Sequence, residues 1–587
     1  MSFIQLQKAG RGENPTTYVL LAVSKRIPGK KHPTQVRTHL GCLCNENPNR
    51  VIIAKSYAGT SHVLVSLQEL KDVAKEGEEV VTKWLQQQSN LKSEIRGSTM
   101  TQKHSDEVAQ IKRVGVTHLL KTIATSIGLD KILESSFNIA DPDGTALLYI
   151  AFYQVAERRP LYLANYWLNE QRIAHEISEY DFSSPGISHL SLQIGNNTGG
   201  IENFFRMWIK QLGAPSSLIF DTTSVSSYSE QLDFAEWGYN RDREQLPQIN
   251  LSLVSSRETS LPLYYRILPG SIPDVSSLKV TVELLRELGI HDYVTSLDRG
   301  FYSTSNIRTM LKNGIGFVIG ASQSCAQTVE LIQKHQAALR SPKQSIEHNG
   351  NIVRHINDKW IVAMEGGEEK ELDAHIYWDY SRHTAQEKVL ESKLFQLCSK
   401  AHKDAPDGFS TEEDAFVWIK ENAKVCSSLI KPVIRNSKYE VDRNIEAIEK
   451  AIEKKGFTVV LTTKTGASGI EILDDYRSRD KIEKLFDILK NENGHNRLYS
   501  GNQHAVTGRL FIAFIALIIH SELENRMKKA NLIRKYYVSE LLSILRKLEC
   551  VTMESGNQYL MELTKAQREI YAALKIPEPT AHCSVDL

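Results

Sequence analysis

The stretch SLIFDTT (217–223) marks a change in the sequence from helical periodicity to short β-rich segments. Asp221 closes its apolar run and is expected to end the strand. Two further strands are predicted at INLSLVSS (249–256) and LPLYYRIL (261–268), and the short polar turn between them indicates a hairpin. The region therefore begins with three consecutive strands that meander.

Alternating helices and strands follow this meander. A predicted helix over 276–289 leads to the strand DYVTSLD (292–298), and a second over 304–313 leads to GFVIGAS (316–322). Three meandering strands, a helix, a strand, a helix and a strand match the element order of a ribonuclease H-like fold. The sequence thus predicts an α/β core with a mixed sheet, in which the first and fourth strands are neighbours.

Helical and β-rich segments flank this core, so we predict a multi-domain α/β protein, as expected for a chain of 587 residues. The predicted regions are an N-terminal β-hairpin unit (1–65), a helical region (66–212), the first part of the core (213–322), an insertion with β and helical pieces (323–468), the second part of the core (469–505) and a C-terminal helical region (506–587). An insertion is predicted because a structureless loop of that length is rare in compact proteins.

Composition excludes few functions. The net charge of +1 rules out a strongly basic protein but is compatible with a local basic patch that binds nucleic acid. The seven cysteines are scattered, without the paired spacing of a zinc site, as in proteins of a reducing compartment. The most apolar run, Leu510–Ile519, is about half the length of a membrane span, so we predict a buried core helix and no membrane partner.

A basic turn lies in the N-terminal β unit. Pro28 and Gly29 predict a turn between two β-rich runs, and Lys30 and Lys31 follow them directly. These lysines are interpreted either as the solvated rim of a hairpin or as an arm that contacts DNA phosphates.

The predicted helix from Gly469 to Asn491 carries the most informative pattern. At about 100° per residue, one stripe of this helix consists of polar or charged residues, namely Tyr476, Arg479, Glu483 and Lys490. The apolar residues lie on the adjoining face, which is expected to pack against the sheet. An ordinary exposed helix with a salt bridge between Arg479 and Glu483 is the alternative interpretation.

This stripe has a counterpart in a known family. In all four residue types and in their spacing, it resembles the Y-R-E-K signature of bacterial insertion-sequence transposases of the DDE class. The contexts of Asp221 (DTTS) and Asp298 (DRGFY) are also similar to those of the family, the second especially. The resemblance covers residues 217–322 and 456–520 well, and the long interval after Asp298 enlarges a β-rich insertion that the superfamily carries.

The resemblance implies a metal-dependent DNA transposase for cut-and-paste movement of an insertion sequence. Such an enzyme cleaves DNA at terminal inverted repeats and joins the freed end to target DNA. By this resemblance Asp221, Asp298 and Glu483 are both the catalytic residues and the ligands of two Mg²⁺ (or Mn²⁺) ions. Three converging acids require bound cations, and oxygen ligands suit these metals.

The resemblance also implies contacts with double-stranded DNA. The DNA-binding residues expected from it are Tyr476, Arg479, Lys490 and, just beyond the helix, Arg497. In the insertion, Trp360 and Trp378 are further candidates for stacking on a base, with packed indoles as the alternative. Pairing of two transposon ends implies a homodimer on DNA, recognition of the repeats is expected within 1–212, and a bacterial family implies a cytoplasmic, nucleoid-associated protein.

Two other functions fit the same residues. A transposase descendant that binds DNA without cutting it is expected to have lost an acid, and all three acids are present. A metal-dependent nuclease with the same fold cleaves DNA without joining strands, and the two activities use the same carboxylates.

Overall fold

The structure is a computed structural model of the chain. It describes residues 2–9, 16–25, 34–43, 49–53, 64–85, 108–137, 144–157, 159–175, 177–213, 215–229, 231–241, 244–435, 437–492, 497–498 and 501–581. The chain divides into two compact units, Met1–Glu107 and Val108–Leu587.

Among the residues that the structure describes, the first unit has a five-stranded antiparallel sheet and two helices. Its elements are β1 (Ser2–Ala9), β2 (Thr16–Lys25), β3 (Thr34–Leu43), β4 (Arg50–Ile53) and β5 (Leu64–Ser66), neighbours in that order, then α1 (Leu67–Ala74) and α2 (78–85). Alternate strand residues such as Val19 and Leu21 share a core with Leu70 of α1. The predicted hairpin is confirmed as the β2–β3 pair, while the turn with Lys30 and Lys31 lies outside the described residues.

In the described part of the chain, the second unit begins with a strand followed by six α-helices. They are β6 (Val108–Arg113), α3 (Gly115–Ser126), α4 (Leu129–Phe137), α5 (Gly144–Ala156), α6 (Ala164–Glu170), α7 (Ser184–Asn196) and α8 (Thr198–Leu212). The helical periodicity predicted for this region is therefore confirmed. The indole N–H of Trp208 donates to the carbonyl of Pro262 (2.9 Å), which ties α8 to the sheet that follows.

The elements of the sheet region follow one another along the chain in the predicted order. Its first elements are β7 (Ser217–Ser227), β8 (Gln248–Ser256), β9 (Pro262–Pro269), helix α9 (Asp274–Glu287), β10 (Val294–Leu297), helix α10 (Thr304–Lys312) and β11 (Gly316–Gly320). The strands lie in the order β9-β8-β7-β10-β11, with β8 antiparallel to β7 and β9, and with β7, β10 and β11 parallel. The first and fourth strands are neighbours, as expected.

The segment after β11 adds strands to the same sheet. Its elements are α11 (Ala326–Leu339), β12 (Ser345–His348), β13 (Asn351–Ala363), β14 (Glu369–Asp379), α12 (Tyr380–Asp404), α13 (Glu412–Ala423), β15 (Ile430–Arg435), β16 (Lys438–Arg443), α14 (Ile445–Glu453) and β17 (Phe457–Thr462). Beyond β11 the sheet continues as β17-β14-β13-β12. The helices α12 to α14 and the β15–β16 hairpin have a small core of their own, which includes Leu394, Trp418 and Ile448.

The helix predicted as continuous from Gly469 to Asn491 is divided in the structure. Its segments are α15 (Gly469–Arg477), α16 (Asp480–Asp487) and a π-helical turn (Ile488–Glu492). At the junction of the two helices, the hydroxyl of Ser478 donates to the carbonyl of Asp475 (2.6 Å) and competes with the regular backbone bonds. Lys490 lies in the π turn, so its phase differs from that of a regular α-helix.

The C-terminal helices pack in the same core as the helices that precede β7. Its elements are β18 (Arg497–Leu498), α17 (Gln503–Lys529), α18 (Val538–Leu545), β19 (Glu549–Met553), β20 (Gln558–Leu560) and α19 (Lys565–Leu574). Glycine allows α17 to approach α7 closely, because a Cβ on Gly508 would lie 1.9 Å from the carbonyl oxygen of Ser191. By length and composition α17 is able to cross a membrane, but 83% of its most apolar stretch is buried inside the protein, as predicted for Leu510–Ile519.

Candidate functional site

Asp221 lies in the middle of β7, whereas the sequence predicted that it ends the strand. The strand is longer because β7 pairs with β8 far beyond the apolar run. Alternation along β7 places Asp221 on the same face as Ile219 and Val225, which belong to the core shared with the helices. Only 8% of Asp221 is exposed, so its carboxylate lies largely beneath neighbouring side chains.

Asp298 follows directly after β10, as predicted. Ser296 of β10 pairs with Ile219 of β7, and the same register two residues further on places Asp298 level with Asp221. Residues at the same level of parallel strands point to the same face of a sheet. The register of β7 and β10, continued past their last paired residues, therefore indicates that the two carboxylates lie on the same face of the sheet.

The edge of β7 beside these carboxylates has a gap. At its start β7 pairs with β10 through residues 217–219, and near its end it pairs with β18 at Ser226 and Ser227. Among the strands that the structure describes, none pairs with residues 220–225 along this edge. The backbone of Arg497, the first residue of β18, borders the gap, and its side chain is outside the described part of the chain.

Asp298 is bound by two residues of the α15–α16 segment. The guanidinium of Arg479 forms an ion pair with the Asp298 carboxylate. The hydroxyl of Tyr476 donates to the same carboxylate over 3.4 Å. The Arg479 guanidinium also lies over the Tyr476 ring, 4.8 Å from its centre, which is a cation–π contact. Two of the four signature residues thus converge on Asp298.

Tyr476 fits into a space that a glycine provides. A Cβ placed on Gly320, the last residue of β11, would lie 2.5 Å from the Tyr476 hydroxyl. The ring is 7% exposed and packs with Val318, Ile472 and Leu473. Burial raises the pKa of the Tyr476 hydroxyl, and the net shift is upward, so the phenol remains protonated as a hydrogen-bond donor.

Asp221 is bound by Arg241, a residue that the sequence analysis missed. The two side chains lie 3.5 Å apart, and Arg241 also donates to the hydroxyl of Thr222 (2.9 Å). The backbone N–H of Thr222 donates to the Asp221 carboxylate as well (2.7 Å). Arg241 lies in the loop between β7 and β8, where no periodic pattern exists that would have singled it out.

Glu483 is an exposed residue on α16. This helix packs against β7 and β8 through Ile482, Leu485 and Phe486, which belong to the same core as Ile219. Glu483 therefore lies on the face of the sheet to which Asp221 points, and the apolar face of the helix faces the sheet as predicted.

The pKa of the Arg479 guanidinium is shifted by the neighbouring groups of the site. Burial alone lowers the pKa of its guanidinium, but four neighbouring groups raise it more, so the net pKa lies above the ordinary value. These groups are Tyr476, Asp298, Glu483 and Asp221. All three predicted acids are thus close enough to Arg479 to stabilise its positive charge.

The carboxylates do not form a closed metal-binding cluster here. Among the residues that the structure describes, no three His, Cys, Asp or Glu side chains are grouped closely enough to hold a metal ion. Asp221 and Asp298 instead have arginine partners. Carboxylate oxygens on one face of adjacent strands are nevertheless donors that suit a hard divalent cation.

The other predicted residues lie in different settings. Lys490 is 9% exposed and makes contacts within the protein. Trp360 is 3% and Trp378 is 6% exposed, and both belong to the core on the other face of the sheet. Neither indole presents an open ring face to a base, because packed side chains cover both.

Comparison with known proteins identifies the family. The family model described as a transposase DDE domain matches residues 212–519, just over half of the chain. This range contains the sheet from β7 to β17 and all three acids. The chain therefore belongs to the DDE transposases.

One solved structure among those that match is a cryo-EM structure of piggyBac transposase in a synaptic complex with hairpin DNA. It is 9% identical, with a TM-score of 0.30, and the match covers 78% of this chain and 76% of that one. No curated protein matches the sequence.

Proposed function

We propose that this protein cuts DNA at the terminal inverted repeats of an insertion sequence and joins the freed ends to target DNA. The observation that carries the proposal is that Arg479 lies close enough to Asp221, Asp298 and Glu483 to interact with all three, while the register of β7 and β10, continued by two residues, places Asp298 level with Asp221. Both acids lie within the region that matches the transposase domain. The proposed catalytic set is completed by Glu483, whose helix packs on the same face.

We assign the core to the ribonuclease H-like class. The strand order β9-β8-β7-β10-β11, with β8 as the antiparallel member between β9 and β7, supports this assignment. In this arrangement the fifth strand, β11, also carries the glycine that accommodates Tyr476. The segment with β12 to β17 is then an elaboration beyond the fifth strand.

Asp221, Asp298 and Glu483 are the residues proposed to hold two Mg²⁺ or Mn²⁺ ions. The donors are carboxylate oxygens, and the negative charges on adjacent strands repel unless cations are bound. When bound, the ions activate the attacking hydroxyl and stabilise the departing 3′-oxygen. Arg241 and Arg479 each pair with one of these acids, so a metal ion would compete with a guanidinium for the carboxylate oxygens.

The chain's own cations are proposed to position the DNA. Arg479 and Lys490 are assigned to phosphates near the cut, and Tyr476 holds Asp298 and Arg479 in place through its hydroxyl and ring. Arg497, whose backbone borders the gap beside β7, is assigned to the DNA strand that carries those phosphates. Lys30 and Lys31 are assigned to a separate phosphate contact. Two copies of the chain on paired ends, acting in the bacterial cytoplasm on nucleoid DNA, complete the proposal.

The test uses full-length protein and DNA that carries the segments flanking its own gene. Wild-type protein with Mg²⁺ should cleave at the repeats and join the ends to a plasmid. Glu483→Gln should reduce cleavage by at least about a thousand-fold, since a missing ligand removes the charge that the metal needs. Asp480→Asn, in an exposed acid of the same helix, is the matched control and should cleave normally.

The outcomes separate the rival functions. Cleavage by Glu483→Gln at the wild-type rate would refute the proposed site. Cleavage without joining would favour a metal-dependent nuclease, and DNA binding without cleavage by the wild type would favour a non-catalytic descendant.

A further inference from the structure

We propose that Trp237 and Tyr239 form a stacking platform for an unpaired nucleobase in the loop that reaches Asp221 through Arg241, an inference that rests on the proposed action on DNA. Both lie in the loop between β7 and β8. This loop plays no part in the signature, and the tryptophans of the β12–β17 segment that the sequence suggested for such a role are buried.

The two rings are unusually exposed. Trp237 is 67% and Tyr239 is 86% exposed, whereas Trp208, Trp360 and Trp378 are all buried. Large aromatic surfaces are normally removed from water, and exposed ones mark binding sites when they occur close together. Only one residue lies between these two large exposed aromatic side chains in the chain.

The loop that carries these rings is held in place by its backbone. Gln248 donates its side-chain amide to the carbonyl of Tyr239 (2.9 Å). Glu236 and Gln248 exchange two backbone hydrogen bonds of 3.0 Å each. Gly238 packs so tightly that a Cβ on it would lie 2.0 Å from the carbonyl oxygen of Gly270. The exposed rings are therefore presented by an ordered backbone, which reduces the entropy lost on binding.

The same loop reaches the carboxylate site directly. The side chain of Asn240 donates to Ser226 (3.0 Å), and the backbone N–H of Arg241 donates to Ser224 (3.2 Å), both on β7. Arg241 then pairs with Asp221. Three residues lie between Trp237 and Arg241, so the Cα atoms of the two are at most roughly 15 Å apart.

A nucleobase is the occupant that matches these features. An aromatic face offers stacking to any base, and an adjacent arginine offers a contact to the phosphate of the same strand. Bases in a duplex are already stacked on one another, so the platform suits a base that is unpaired at or next to the cut. A protein partner would use the rings but would not require Arg241 or the proximity to Asp221.

The test compares two DNA probes with the full chain in EDTA, so that no cleavage occurs. One probe is a blunt duplex, and the other has the same duplex with a three-nucleotide single-stranded end containing 2-aminopurine. Wild-type protein should bind the second probe more tightly and quench the 2-aminopurine. Trp237→Ala/Tyr239→Ala should weaken binding of that probe roughly ten- to a hundred-fold and abolish the quenching.

Control variants keep the result specific. Trp237→Phe should retain the preference for the single-stranded end, because a ring face remains. Tyr166→Ala removes a tyrosine that is 70% exposed on α6 and should have no effect. An unchanged preference and unchanged quenching in the double alanine variant would overturn the inference. Analytical sedimentation of the wild type and the double alanine variant is a second check. If the two proteins differ only in self-association, the inference is also overturned.

The inference and the proposed function fail separately. If wild-type protein stacks the probe base but never cleaves repeat DNA with Mg²⁺, the catalytic proposal fails and the platform remains. If it cleaves and joins DNA while the double alanine variant binds both probes as the wild type does, only the platform is wrong.

Discussion

The guanidinium of Arg241 lies 3.5 Å from the carboxylate of Asp221. Arg479, at the junction of α15 and α16, likewise forms an ion pair with Asp298, which follows the neighbouring strand β10. Each aspartate that we propose as a metal ligand is thus neutralised by an arginine, one from a loop and one from a helix junction. Because a guanidinium and a divalent cation compete for the same oxygens, changes at either arginine should alter metal binding in a definite direction.

Arg241→Gln should bind Mn²⁺ about five times more tightly than the wild type, because a competing cation worth about 1 kcal/mol is removed. Cleavage should nevertheless fall, since Arg241 also positions the loop beside Asp221. Isothermal titration with Mn²⁺ measures the affinity. Lys312→Gln, which removes an exposed ion pair with Glu365, is the control and should leave Mn²⁺ binding unchanged. Weaker Mn²⁺ binding by Arg241→Gln would contradict the competition.

Gly320→Ala should displace Tyr476 and destabilise the protein by about 1–3 kcal/mol, because the added methyl overlaps the phenol. Cleavage should fall as well, since Tyr476 contacts both Arg479 and Asp298. Adding Tyr476→Phe removes the overlapping hydroxyl and should restore part of the stability. Urea unfolding of the two single variants and the double variant measures this coupling. Additive losses would mean that the two residues do not meet as described.

Lys490→Ala should weaken binding to duplex DNA and lower the salt dependence of that binding by about one ion. Lys490 lies in the π-helical turn that follows the helix of Glu483, and its side chain is largely buried. Fluorescence anisotropy over a range of salt concentrations gives the slope. Lys484→Ala, in an exposed lysine of α16, should change the slope less. Equal slopes for Lys490→Ala and the wild type would exclude the phosphate contact.

His355 should make the protein sensitive to acid. Burial, together with repulsion from His375, lowers the pKa of His355 to about 4, and the two rings meet over 3.0 Å. Because this pKa lies below the unfolded value of about 6.5, the unfolded state binds more protons between these limits. The contribution of His355 to the free energy of unfolding is therefore fully present above about pH 6.5 and decreases as the pH falls towards 4.

Urea midpoints between pH 7 and pH 4.5 measure this dependence. His355→Phe keeps an aromatic ring without the titrating group and should flatten the decrease. His291→Gln, in an exposed histidine outside this cluster, should retain the wild-type profile. A profile of His355→Phe as steep as that of the wild type would assign the acid sensitivity to other groups.

The strand order was predictable because each element carries a local pattern. Short β-rich runs separated by helical periodicity define β7 to β11, and the spacing of Tyr476, Arg479 and Glu483 depends only on residues close together in the chain. Strand ends were less predictable. β7 continues past Asp221 through small polar residues, because its pairing with β8 stabilises residues whose own preference for strands is weak.

The sequence by itself led to the prediction that three acids belong to one site, since two of them lie beside predicted neighbouring strands and the third on an amphipathic helix. Only the tertiary structure decided how those acids are held. The pairing of Arg241 with Asp221, the break at Ser478 and the space left by Gly320 for Tyr476 all depend on contacts between distant segments or on loop geometry. Such contacts leave no periodic trace along the chain, because the approach of two backbones is set by the packing of everything between them.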